Sequence, residues 1–126
     1  MATVLVVDDE PSVRSLLRDV LELDGYDVIE AADGEEALRE IARSLPDFVI
    51  LDIMMPGMSG LDVLRRLRVE HTVTDLPIML LTAATDDETT WAGWTAGASV
   101  FIPKPFDPGR LLDWIEKLLA SDQPKN

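Results

Sequence analysis

Apolar positions follow two rhythms along this chain. Thr3 to Val7, Phe48 to Leu51 and Ile78 to Leu81 are unbroken apolar runs, the mark of strands buried on both faces. Tyr26 to Ala31 alternates instead, with Asp27 and Glu30 among Val28 and Ile29, as a more exposed strand would. Val100-Phe101-Ile102 is a short last run leading into Pro103-Lys104-Pro105. Between these runs the spacing turns helical, as at Val13, Leu16, Leu17, Val20 and Leu21, or at Ala37, Leu38, Ile41 and Ala42. Leu61, Leu64 and Leu67 mark a third helix, and Leu111, Leu112, Ile115, Leu118 and Leu119 a fifth.

The punctuation agrees with the rhythm. Asp9-Glu10-Pro11 reads as an N-cap followed by a first-turn proline, and Asp33, Ser59 and Asp107 stand where caps are expected. Thr85 with Glu88 predicts a capping box for a fourth helix, and Gly25 and Gly97 predict helix ends. Strands alternating with helices at this spacing predict an α/β fold with a parallel sheet covered on both faces. Right-handed crossovers leave few strand orders, and for five βα units the flavodoxin-like, doubly wound order 2-1-3-4-5 is the expected one. One domain over residues 1–121 is predicted, followed by a short tail at 122–126.

Composition narrows the function classes. The 126 residues suffice for one core without staples. There is no cysteine, which excludes disulfides, thiolate metal sites and a cysteine nucleophile, and suits a reducing compartment. No apolar run approaches the ~20 residues a membrane span needs, and no leader pattern opens the sequence, so the expected location is cytoplasmic with no membrane partner. The net charge of −13 argues against direct nucleic-acid binding, which needs clustered cations.

In the predicted strand order the ends of the runs converge. Asp8 and Asp9 end the first, Asp52 the third, Thr82 the fourth and Lys104 the last. Neighbouring strands lie about 4.8 Å apart, so Asp52 is one spacing from Asp8 and Asp9, one from Thr82, and within reach of a lysine two strands away. Three carboxylates together need protonation or a cation, and an all-oxygen site with few protein ligands suits Mg²⁺, with Mn²⁺ as the alternative. The backbone carbonyl of Met54 is a candidate further ligand. A carboxylate so placed beside an ammonium and a hydroxyl is laid out for phosphoryl transfer. Asp52 would be the nucleophile, and Lys104, Thr82 and backbone amides would hold the phosphoryl oxygens.

These residues lie in five fragments: Val6-Val7-Asp8-Asp9-Glu10, Leu51-Asp52-Ile53-Met54-Met55-Pro56-Gly57-Met58-Ser59-Gly60, Leu81-Thr82-Ala83, Ala96-Gly97-Ala98 and Lys104-Pro105-Phe106. In that order and spacing they resemble the receiver domain of bacterial two-component response regulators, of the chemotaxis-regulator kind, over essentially the whole length. The resemblance implies that a sensor histidine kinase or phosphotransfer protein donates a phosphoryl group from phosphohistidine to Asp52. It implies that Asp9, Asp52 and the Met54 carbonyl bind Mg²⁺ directly and Asp8 through water. Thr82, Ala83 and Lys104 would contact the phosphoryl group, and Lys104-Pro105 would be a cis bond. It also implies a switch: Thr82 moves toward the phosphoryl group, Phe101 turns into the space left, and the face of the fourth helix, fifth strand and fifth helix repacks. A downstream protein or a second copy of the chain would read that face.

Departures from the family pattern matter as well. Phe101 stands where tyrosine is frequent, so readout would rest on shape rather than on a hydroxyl. Met54 and Ala84 occupy positions that are often polar, which predicts slow loss of the phosphoryl group. Trp91, Trp94 and Trp114 read equally well as core packing or as a partner surface gathered near the output face. An aspartate-nucleophile phosphatase is the enzymatic rival, but it needs a second acid where Met54 stands. A pure interaction module is the other rival, and the complete set of five site residues opposes it.

Overall fold

The computed structural model describes residues 2–70, 75–83 and 87–121. In chain order these form β1 (Thr3–Val7), α1 (Pro11–Leu23), β2 (Asp27–Ala31), α2 (Gly34–Arg43), β3 (Phe48–Asp52) and α3 (Gly60–Arg65). A π-helical segment (Arg66–Glu70) extends α3, and β4 (Ile78–Thr82), α4 (Asp87–Ala96), β5 (Val100–Pro103) and α5 (Pro108–Ser121) follow. The strands make one parallel sheet in the order β2-β1-β3-β4-β5.

Successive strand residues enter opposite cores, which is why the central runs are apolar at every position. Leu5, Val7, Val49, Leu51, Ile78 and Leu80 face Ala37, Ile41, Val63 and Leu64 of α2 and α3. Val4, Val6, Phe48, Ile50, Met79 and Leu81 face Leu17 and Leu21 of α1 and Leu111 and Ile115 of α5. Burying a Val, Leu, Ile or Phe side chain contributes about 1.5–3 kcal/mol, so these two layers hold the sheet and fix its strand ends.

Several helix ends follow their local chemistry. The Asp33 side chain accepts a hydrogen bond from the Glu36 amide, and Ser59 forms a reciprocal capping box with Asp62. The Asp107 carboxylate accepts from the Gly109 amide ahead of α5. Gly25 and Gly97 close α1 and α4 at φ 92° and 103°. The Thr85–Glu88 capping box, His71 and the tail lie outside the described residues.

Three expectations are corrected. Asp9 is not the cap of α1: the helix begins at Pro11, so Glu10 holds that position, without a side-chain bond, and the Asp9 carboxylate lies instead with those of Asp8 and Asp52. Leu16 does not join the buried face of α1; it is half-exposed beside Val13, Lys104 and Phe106, while Leu17 and Leu21 fill the core. The third helix does not stay α-helical to Leu67. It widens to a π-turn that keeps Leu67 buried and sends Arg68 across to α4, where Nε and Nη2 donate to the Gly97 carbonyl at 3.2 and 2.9 Å.

The tryptophans divide between the two faces of the sheet. Trp91 and Trp94 on α4 are 74% and 49% exposed, whereas Trp114 packs against the α1–α5 core.

Candidate functional site

The register sets the site. Val7 pairs with Leu51 and Asp52 with Leu81, so Asp8 and Asp52 stand side by side where β1 and β3 end. Thr82 pairs with Pro103, and the Lys104 amide donates to the Thr82 carbonyl at 2.9 Å, which ties the ends of β4 and β5 together.

Asp8 and Asp52 are 0% and 2% exposed. Lys104 reaches across two strands and places Nζ 3.0 Å from Asp8 Oδ2 and 3.3 Å from Asp52 Oδ2. The Lys104–Pro105 bond is cis. Asp8 Oδ1 accepts from the Glu10 amide at 2.9 Å and Asp52 Oδ1 from the Met54 amide at 3.2 Å. Asp9 completes the group: one carboxylate oxygen from each of Asp8, Asp9 and Asp52 lies within 4.8 Å of the others.

The electrostatics follow from this crowding. Burial and the neighbouring Asp8 charge push the Asp52 carboxyl up to about 6, against the opposing pull of Lys104 and the Met54 amide. Burial alone would lower Lys104, but its bond to Asp8 and the charges of both acids outweigh that and raise it. Two like charges ~4 Å apart repel by about 4 kcal/mol at an effective dielectric near 20. One ammonium against three carboxylates leaves the cluster two charges negative. An all-oxygen donor set with that surplus fits a small divalent cation.

The remaining site residues stand around this cluster. Thr82 is buried at the tip of β4 and Ala83 beside it is exposed. The Met54 side chain points to solvent at the mouth of the crevice, and Ala84 lies outside the described residues. Phe101 is half-buried against the α2–α3 core, with its ring edge-on to Trp94 at 5.1 Å between centroids.

Three further residues shape the site with no signal in the sequence for these roles. Arg14 donates from Nη1 to the Asp8 carbonyl at 2.6 Å, although an arginine on a helix reads only as a solvated charge. Gly60 lets α3 abut the end of β3, since a Cβ there would clash with the Asp52 carbonyl oxygen. Gly93 makes room for Phe101, since its Cβ would stand 2.1 Å from the ring's Cζ. Helical glycine carries no such signal without the fold.

The model of the response regulator receiver domain matches residues 4–116. The chain belongs to the response regulator receiver domain family. It is therefore a phosphorylation-dependent signalling domain of two-component systems. It is 46% identical over 121 residues to the response regulator MprA of Mycobacterium leprae, covering 96% of this chain and 52% of that protein. The chain thus spans about half the length of the curated relatives it matches. Among solved structures it resembles Vibrio cholerae chemotaxis protein CheY4, with a TM-score of 0.88, 36% identity and coverage of 94% and 98%. It likewise resembles Thermotoga maritima TrrA, solved in complex with Mg²⁺-BeF, with a TM-score of 0.84, 40% identity and coverage of 94% and 99%. Among the described residues no helix is long and apolar enough to cross a membrane.

Proposed function

We propose that residues 1–121 form a receiver that accepts a phosphoryl group on Asp52 from the phosphohistidine of a sensor histidine kinase or a phosphotransfer protein. The observation that carries this reading is the bridge of Lys104 Nζ between two buried carboxylates, with a third carboxylate alongside. An Asp52 oxygen forms the new bond to phosphorus as the phosphorus–nitrogen bond of the donor breaks. The imidazole leaves with that electron pair and takes a proton from water. Lys104, already within hydrogen-bond reach of Asp52, offers its ammonium to the transferred group, and Thr82 and the Ala83 amide flank it.

Asp8, Asp9 and Asp52, with the Met54 carbonyl, would hold Mg²⁺ or in its place Mn²⁺, which when bound supplies fixed positive charge for the phosphoryl oxygens. The Mg²⁺-BeF complex of TrrA supports that choice of ion. A cavity of about 370 Å³ lined by Glu10, Val13, Leu16, Lys104, Pro105 and Phe106 opens beside the crevice and gives a donor protein an apolar seat. The domain catalyses its own phosphorylation and does not turn over free substrates.

The phosphoryl group draws Thr82 toward it, Phe101 moves into the space left, and the α4–β5–α5 face changes shape for a downstream protein or a second copy of the chain. The domain works in the cytoplasm and, at net charge −13, does not bind nucleic acid through this stretch. Incubation with acetyl phosphate and Mg²⁺ should add the mass of one phosphoryl group, mapped to Asp52 and absent from Asp52→Asn. No gain, or an equal gain on the Asn variant, would overturn the assignment.

A further inference from the structure

We infer that Arg14 is a positioning residue for the acidic site, and that Glu30 acts on the site through it. The inference rests on the reading that the site binds a divalent cation. Asp8 and Asp9 share one peptide unit, whose oxygen is the Asp8 carbonyl. Whatever grips that oxygen therefore sets the direction in which both carboxylates leave the backbone.

Arg14 is the group that grips it. It lies one turn into α1, where its own amide donates to Glu10 O at 3.1 Å, and its Nη1 donates to Asp8 O at 2.6 Å. The same guanidinium donates from Nε to Glu30 Oε1 at 3.2 Å. Glu30 is fixed in turn, because its Oε2 accepts from Arg18 Nε at 2.7 Å and Arg18 Nη2 donates to the Val28 carbonyl at 3.3 Å. The Asp8 amide donates to Ala31 O at 3.2 Å, so β2 holds the peptide unit before Asp8 and Arg14 the one after it.

The planar fork is what makes this work. A guanidinium can satisfy a carbonyl and a carboxylate at once in a fixed relative orientation, whereas one lysine ammonium lacks that geometry. The side chain of Arg14 is 16% exposed, so the bonds are largely shielded from water. Groups that orient metal ligands from behind commonly set affinity by tenfold or more.

A staple that merely joined α1 to β2 would change stability and leave cation affinity alone. The test is calorimetric titration of the intact chain with MgCl₂, with urea denaturation of each variant alongside. Arg14→Ala should weaken Mg²⁺ binding about tenfold, and Glu30→Gln and Arg14→Lys by smaller amounts in the same direction. At saturating Mg²⁺ the acetyl phosphate rate of each variant should return toward the wild-type value. If wild type binds Mg²⁺ and folded Arg14→Ala and Glu30→Gln bind it within twofold of wild type, the positioning role is wrong. Should Arg14→Ala fail to fold, Glu30→Gln and Arg14→Lys decide the same question. Failure of wild type itself to bind Mg²⁺ would overturn the cation reading and this inference together.

Discussion

On one flank of the crevice, made by β1, α1 and β2, Asp8 is held through its amide, its carbonyl and both carboxylate oxygens. On the other, made by β4, α4 and β5, the Phe101 ring lies against Gly93 and is edged by the half-exposed indole of Trp94. Charge-assisted hydrogen bonds are directional and lock one geometry. Apolar ring contacts cost little to exchange for another packing of similar area. On the reading proposed above, the hydrogen-bonded side would present the carboxylates and the ring-packed side would report their state.

The largest expected effect comes from the residue that joins the flanks. Lys104→Met should slow phosphorylation by acetyl phosphate about 10²–10³-fold at saturating Mg²⁺, because a preorganised charge on the transferring group is lost. A rate within threefold of wild type would mean that Lys104 serves only to neutralise Asp8.

Asp52→Asn probes the anchored side's electrostatics. Burial and the Asp8 charge push the Asp52 carboxyl up to about 6 from its usual 3.8, so the metal-free fold holds this proton more tightly than the unfolded chain does. That contribution is fully present below the ordinary carboxylate range and is lost as pH rises through about 6. Asparagine should therefore stabilise the metal-free protein by about 2–3 kcal/mol at pH 7, with the advantage fading toward pH 4. Urea midpoints at both pH values check this, and a pH-independent difference would contradict it.

Gly93→Ala probes the other flank. The new methyl would stand 2.1 Å from Phe101 Cζ, a rigid ring end, so the variant should lose about 1–3 kcal/mol in urea denaturation. Adding Phe101→Leu should restore much of the loss, and strict additivity of the two changes would show that the ring does not rest on Gly93. The smallest effect belongs to Met54, which stands at the mouth with its side chain 64% exposed. Met54→Asn should speed loss of the phosphoryl group about tenfold by orienting the attacking water, and an unchanged decay in Mg²⁺ would count against that role.

The anchored carboxylates were legible in the sequence because each one ends an apolar run, and strand order turns run-ends into neighbours. Strand order alone brings Asp8, Asp52, Thr82 and Lys104 to one end of the sheet. What escaped was long-range or unsignalled. Arg14 acts on a backbone oxygen six residues away, and nothing in its spacing distinguishes it from Arg18. The π-turn at Arg66–Glu70 keeps the leucine rhythm at Leu67 while redirecting Arg68, so periodicity alone could not show it. Asp9 satisfied a cap pattern by sequence, yet its carboxylate is gathered into the site.

The difference between the flanks can be measured in one experiment. Amide NMR spectra of ¹⁵N-labelled protein in Mg²⁺ would be compared before and after phosphorylation with acetyl phosphate. The large shifts should fall on Ala83, Gly93, Trp94 and Phe101, while Arg14, Glu30 and Ala31 stay near their Mg²⁺-bound positions. Equal shifts on both flanks, or shifts confined to the residues beside Asp52, would contradict an anchored side and a reporting side.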